Sequence, residues 1–209
     1  RMLIPIEQCP QTFVQDPTAN NDLYIATLLK WTTTSSSPKG QLIRHLGKMG
    51  DFETEIESLL IQNDIPCEQF SNEVLSEVKQ YDGQWTIPQS EVERRTDLRT
   101  RRIFSIDPKT CKDVDDALSI EQMEDNTFEI GVHIADVSYF VRPGTRVDEE
   151  AKSRATSVYL VNKVIPMLPR ILSENVCSLN EGVDRLALSV FVKVNESGEV
   201  IDNTTEAKS

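Results

Sequence analysis

The chain has 209 residues, 38% of them hydrophobic and 27% charged, with a formal net charge of −12. That length suits one ordinary domain or one and a half small ones, and the balance is that of a globular protein. No apolar run approaches the roughly eighteen residues a membrane-spanning helix needs, and so acidic a balance argues on its face against a nucleic-acid partner, because such binding usually needs a basic surface, though the charge is not uniform along the chain.

The first ten residues, "RMLIPIEQCP", have neither the apolar core nor the small-residue cleavage site of a signal peptide. Position 1 is not a methionine, which points to a start inside a longer protein. Cys9, Cys67, Cys111 and Cys177 are scattered with no C-x-x-C pair, and read as reduced cytosolic thiols rather than a zinc site or a disulfide framework. Residues 1–50 read as the end of a β-rich unit: "DLYIATLLKW" is rich in apolar and β-forming residues, and "TTTSSSPKG" supplies a polar turn before "GQLIRHLGKMG". Residues 51–95 read as a helical connection. Phe52, Ile56, Leu59 and Leu60 fall at helical spacing with acids in the first turn, and Ser71 is placed to cap a second short helix.

Residues 96–209 change character. "RIFSID" reads as a strand. "NTFEIGVHIADVSYFV" reads as another, with Phe128, Ile130, Val132 and Ile134 on one face and His133 on the opposite one. "QMEDN" ahead of it suggests a hairpin connection, "DEEAKSRA" a helical turn or two, and "RLALSVFVKV" a further strand closed by a turn at "NESG". The fold class is α+β. The five arginines of "ERRTDLRTRR" (93–102) stand either as a solvated basic stretch or as a phosphate-contacting edge beside an acidic site.

That acidic site is "IDPKTCKDVDDAL", where Asp107, Asp113, Asp115 and Asp116 crowd into ten residues. Like charges so close repel and raise one another's pKa. A helix would put Asp113 and Asp116 on one face and a strand would pair Asp113 with Asp115, so no regular structure converges all of them. Pro108 interrupts a ladder or helix just after Asp107. The expected picture is a strand delivering Asp107 and an irregular loop delivering the rest. Four carboxylates balance two divalent cations, and oxygen-only ligands select hard ions such as Mg²⁺. Two such ions about 4 Å apart are a device for in-line displacement at phosphorus. A calcium loop starting at Asp113 fails, because Ala117 and Leu118 fall where an EF-hand needs Asp or Asn and then Gly. A solvated acidic turn remains the plain alternative.

These residues resemble the ribonuclease II (RNB) family pattern I-D-P, five residues, D-x-D-D-A-L. "RRTDLR", "GVHIADVSYFV" and "RATSVYLVNKVIPMLPRILSENVCSLN" follow in the family's order, while "GQLIRHLG" and "WTIP" resemble the end of its second cold-shock domain and the lead-in to its catalytic domain. By eye the chain is most similar to the eukaryotic Dis-three-like exonuclease two branch. The resemblance implies the end of an OB-type cold-shock β-barrel followed by the N-terminal part of an RNB catalytic domain. As a segment of the family protein, this piece is expected to be incomplete as an enzyme on its own.

The activity implied is 3′→5′ processive, hydrolytic degradation of single-stranded RNA with a free 3′ end to nucleoside 5′-monophosphates. Mg²⁺ is the implied cofactor, with Mn²⁺ as a substitute. The branch is cytoplasmic, prefers oligo-uridine tails and works without the exosome core. By motif position, Asp107 and Asp116 resemble the principal metal ligands, Asp113 and Asp115 complete the acidic site, and Asp115 resembles the residue whose loss leaves binding but removes cleavage. Tyr159 resembles an aromatic that stacks on a base near the 3′ end, with a core tyrosine as the alternative. Arg170 is placed either on a phosphate or in a structural ion pair. His133 is assigned a structural or groove role rather than that of a general base, and Asp136 a supporting position. The other reading of the whole is a non-catalytic RNB-fold RNA-binding regulator, which the presence of all four aspartates disfavours.

Overall fold

The computed structural model describes residues 2–15, 21–31, 36–83 and 85–208. The chain divides into two compact units, Arg1–Cys67 and Glu68–Ser209. The break between them falls within the 51–95 segment.

In the first unit a short helix α1 (Gln11–Gln15) precedes two antiparallel strands, β1 (Asp22–Leu28) and β2 (Gly40–Lys48). Helix α2 (Phe52–Gln62) follows, its first turn closed by Asp51, whose carboxylate accepts from the Thr54 backbone N–H and hydroxyl. Thr54, Ile56 and Leu60 are its buried face, whereas Phe52 and Leu59 stay half exposed. The helix rests close on β2: a Cβ on Gly47 would stand 2.1 Å from the Thr54 hydroxyl oxygen, so only glycine fits there.

The second unit begins with α3 (Asn72–Val78), capped by Ser71 as its sequence predicts, and α4 (Gln89–Arg94). A five-stranded antiparallel sheet then forms in the order β3-β4-β5-β8-β9. Its strands are β3 (Ile103–Phe104), β4 (Asp116–Gln122), β5 (Phe128–Ala135), β8 (Ala187–Val194) and β9 (Val200–Lys208). β4 and β5 are joined by the expected hairpin, with Asn126 in the left-handed region. Between β5 and β8 the chain makes α5 (Val137–Phe140), α6 (Arg146–Arg154), a small hairpin of β6 (Val158–Tyr159) and β7 (Val164–Ile165), and a π-helical turn Ile171–Val176. Phe140, Val147, Leu172, Val176 and Leu186 from this excursion share a core with Val74, Val78 and Ala135, and Tyr81 and Trp85 add edge-on aromatic contacts to Phe140.

Three expectations are corrected. The run from Phe128 onward is not one strand: it ends at Ala135, where Asp136 turns the chain into α5 and Phe140 drops into the core. β3 stops at Phe104, so Asp107 is carried by irregular chain, while Asp116 opens β4. The covered face of the sheet is also not the apolar one. Gly131, His133 and Ala135 are buried on β5, whereas Ile134 is 44% exposed, and so are Leu188 at 48% and Ile120 at 50%. Small residues explain it. A Cβ at Gly131 would lie 2.4 Å from the Ser119 hydroxyl and 2.9 Å from the His133 ring, so glycine leaves room for a polar row on the covered side. In that row His133 bonds Ser189 through Nδ1 (2.8 Å) and Ser119 through Nε2 (2.9 Å). Arg101 lies across the same face, bonded to Glu129 and stacked over Phe191. No helix among the described residues is long and apolar enough to cross a membrane.

Candidate functional site

The four aspartates lie between the end of β3 and the start of β4. A loop of like charges needs an external hold, and here the hold is backbone-directed. The Ser178 hydroxyl donates to the Lys112 carbonyl (2.8 Å) and accepts from the Val114 N–H (3.0 Å). The Leu179 N–H donates to the Val114 carbonyl (2.8 Å), and the Ala135 N–H to the Asp115 carbonyl (2.9 Å). Residues 112–115 are thus fastened both to β5 and to the chain after the π-helical turn. Ser178 has no exposed surface, and its own carbonyl accepts from Arg185. Sequence reading missed Ser178, because a serine far along the chain carries no local signal of what it holds.

The side chains then divide. Asp107, Asp115 and Asp116 are exposed, and among the described residues their carboxylates have no hydrogen-bond donor or ion pair. Asp116 pairs across the strands with Ile134, and Ile134 with Leu188, which puts its carboxylate on the open face of the sheet. Although Asp115 has exposed surface, the protein packed around its carboxyl desolvates it. That loss of water, then the charges of Asp113, Asp116 and Asp107, raise its pKa above the ordinary aspartate value. The four therefore share one electrostatic neighbourhood. Asp113 is half-buried and accepts from the Tyr159 hydroxyl. That bond first, then desolvation and the neighbouring carboxylates, push the Tyr159 phenol up to about 12. Tyr159 is 62% exposed, which excludes a core role.

The other expected site residues fall elsewhere. Arg170 is exposed, ion-paired with Glu174, and donates to the Val164 carbonyl (3.2 Å). His133 is 2% exposed and its pKa is lowered by burial and then by Arg101, which suits a neutral structural imidazole. Asp136 pairs with Arg95 (2.7 Å) and accepts from Ser138, next in sequence to the Ala135 anchor of the loop. The arginine-rich stretch is largely spent on carboxylates: Arg94 on Glu91, Arg95 on Glu91 and Asp136, Arg99 on Asp97 and Asp184, Arg101 on Glu121 and Glu129. Only Arg102 of the five has no ion pair among the described residues.

Residues 95–207 match the RNB domain and residues 1–64 the Dis3-like cold-shock domain 2. The chain belongs to the RNB family. It is 47% identical over 203 residues to DIS3-like exonuclease 2 of Xenopus tropicalis, covering 97% of this chain and 24% of that protein. The chain thus spans about a quarter of that relative's length. Among solved structures, Mycoplasma genitalium RNase R in complex with ribose-methylated single-stranded RNA superposes with a TM-score of 0.78 at 25% identity, covering 99% of this chain and 31% of that one. Yeast Ssd1, a pseudonuclease, superposes with a TM-score of 0.75 at 26% identity, covering 99% and 26%. The α+β architecture, a cold-shock unit followed by RNB-domain structure, is that of the family.

An RNB site of this kind implies divalent cations. Among the described residues no three Asp, Glu, His or Cys side chains stand in a ready metal-holding group. The donor chemistry fits nevertheless: the available ligands are carboxylate oxygens, mutually repelling, and three of them lack any other partner.

Proposed function

We propose that the chain belongs to the catalytic part of a 3′→5′ exoribonuclease that hydrolyses single-stranded RNA processively to nucleoside 5′-monophosphates. The observation that carries this is the fastened loop: bonds from Ser178, Leu179 and Ala135 fix residues 112–115, and the charges of Asp113, Asp116 and Asp107 bear on a partly desolvated Asp115, a cost that a structural loop has no reason to bear. Asp107, Asp115 and Asp116 would hold Mg²⁺, or Mn²⁺ in its place. When bound, such ions supply charge stabilisation at the phosphorus centre and an activated water at neutral pH.

The protein's own groups do the rest. Asp115 is a carboxylate whose charge is opposed by desolvation and by its acidic neighbours, a cost that a cation's arrival would relieve. Tyr159 offers an open ring face to the 3′-terminal base, a contact worth about 1–3 kcal/mol that reads no sequence. The exposed face of the sheet beside Asp116 leaves the acids accessible from one side. From the resemblance to the Dis-three-like exonuclease two branch, we propose oligo-uridine-tailed RNA as substrate, acted on in the cytoplasm without the exosome core.

The similarity to a pseudonuclease makes a non-catalytic RNA-binding regulator the competing reading. A single assay separates them. The full-length protein is given end-labelled linear RNA, a circular RNA of the same sequence, and Mg²⁺ or EDTA. Mg²⁺-dependent, stepwise loss of 3′ nucleotides from the linear RNA alone is expected. Binding without cleavage would establish the regulator, and equal cleavage of the circle would overturn the exonuclease.

A further inference from the structure

Asp113 stands apart from the other three aspartates. It is half-buried where they are exposed, its Oδ2 accepts from the Tyr159 hydroxyl, and the Cys111 thiol lies 3.6 Å from both its Oδ1 and its backbone carbonyl. Tyr159 is held at its other end by the β6–β7 hairpin, where it pairs with Val164. Its ring is fixed at backbone and hydroxyl, yet 62% of the residue's surface is open. A phenol bonded to a carboxylate is a charge-assisted contact, stronger than a neutral one. A side chain locked in its binding orientation also loses less entropy when a ligand arrives.

We propose that Asp113 is a positioning residue. Its carboxylate orients the Tyr159 ring beside the acidic loop for an RNA 3′-terminal base, while the divalent ions are held by Asp107, Asp115 and Asp116. This rests on the nuclease reading, and it removes Asp113 from the metal set that its place in the motif suggests. A cation on the Asp113 Oδ2 would compete with the Tyr159 hydroxyl for that oxygen, whereas a base stacking on the ring does not.

The test uses the full-length protein and a single-stranded RNA carrying 2-aminopurine at its 3′ end, in EDTA, with quenching of the fluorescent base reporting stacking. Tyr159→Phe removes the hydroxyl and keeps the ring, and Asp113→Ala removes the acceptor. Each is expected to reduce quenching and to weaken binding of the 3′ end by about two- to tenfold, the range of one hydrogen bond. The double variant should be no worse than either single one, because the two act through a single bond. Asp113→Asn keeps an acceptor oxygen and should return quenching close to the parent. In parallel, Mn²⁺ affinity is read by electron paramagnetic resonance. Asp113→Ala should bind within about twofold of the parent, whereas Asp107→Ala should lose at least about tenfold, since removing a direct ligand costs no less than the roughly 10–100-fold lost with an outer-shell partner.

Additive quenching losses, or a Mn²⁺ loss in Asp113→Ala equal to that in Asp107→Ala, overturn the positioning role. If the parent binds no Mn²⁺ at all, the metal reading of the nuclease falls instead, and the quenching cycle alone decides the role of Asp113.

Discussion

Two polar clusters sit on opposite faces of one sheet, carried by neighbouring residues. Asp116 and Ala117 are consecutive on β4, and their partners on β5 are Ile134 and His133. On the covered face His133 finds a serine at each ring nitrogen and is 2% exposed. Asp116 on the open face, and Asp107 and Asp115 in the loop that leads to it, have carboxylates with no donor among the described residues. The difference separates architecture from chemistry. A buried polar group with every bond satisfied contributes specificity and is costly to disturb. Carboxylates massed without partners are unstable by themselves and have a use only when something of opposite charge arrives. The two clusters should therefore respond to mutation in opposite senses.

The largest effect expected is in the acidic cluster. Asp115→Asn keeps shape and removes one charge, so the rate of RNA cleavage should fall about a thousandfold, the equivalent of about 4 kcal/mol of lost transition-state stabilisation. The metal-free protein should at the same time become more stable, and RNA binding by anisotropy should persist. Single-turnover kinetics and thermal melts on one preparation check all three. Cleavage within a few-fold of the parent would sink the catalytic role of the cluster.

On the covered side the signs reverse. His133→Leu leaves the Ser119 and Ser189 hydroxyls buried without their partner and should cost about 2–3 kcal/mol of stability, read by urea melts. A melt unchanged by this substitution would mean the row is not architecture. Ser178→Ala joins the two regions, since it strips the Lys112 carbonyl and the Val114 N–H of their shared partner. It should cost about 1–3 kcal/mol and lower the cleavage rate too, because the loop loses the Ser178 hydroxyl and keeps only the Leu179 and Ala135 bonds.

Acidity gives a finer separation. The Asp115 pKa is raised in the folded chain, so the folded state holds its proton more tightly than the unfolded state does. Its contribution to stability is then lost as pH rises above the ordinary aspartate value near 3.8 and through the raised one. His133 runs the other way. Its folded pKa lies below the ordinary 6.5, so its contribution is present above 6.5 and is lost as pH falls through the lowered value. Stability-versus-pH curves of metal-free Asp115→Asn and of His133→Leu, each subtracted from the parent, should slope in opposite directions between those limits. Mg²⁺ should abolish the Asp115 component alone; a Mg²⁺ effect on the His133 component would break the assignment of the two faces.

The smallest effect expected is at Arg170. Its ion pair with Glu174 is exposed, so Arg170→Ala should change stability by about 0.5 kcal/mol or less and leave RNA affinity within about twofold. A several-fold loss of affinity, falling with salt, would return Arg170 to the phosphate.

What the chain declares locally, it declares well. Ser71 and Asp51 mark their helix starts because a cap and the N–H it receives lie within three residues of each other. The hairpin at "QMEDN", the turn at "NESG" and the period-two strands are likewise set by neighbours in sequence. The spacing of the aspartates announced an acidic site, since no regular element gathers them and only an irregular loop can. Three further features needed the tertiary structure. Which face of the sheet is covered depends on what packs there, and Gly131 with two serines admits a polar row where hydrophobicity alone favours the other side. Ser178 fastens the loop from 64 residues away, and Tyr159 reaches Asp113 across 46. The arginines likewise found carboxylates that no local rule pairs with them, Arg95 meeting Asp136 across 41 residues. Caps, turns and periodicity act over a few residues and are written in order along the chain. The partner of a side chain is chosen by the path of the folded backbone, which brings distant positions together only once the sheet and the excursion between β5 and β8 have formed.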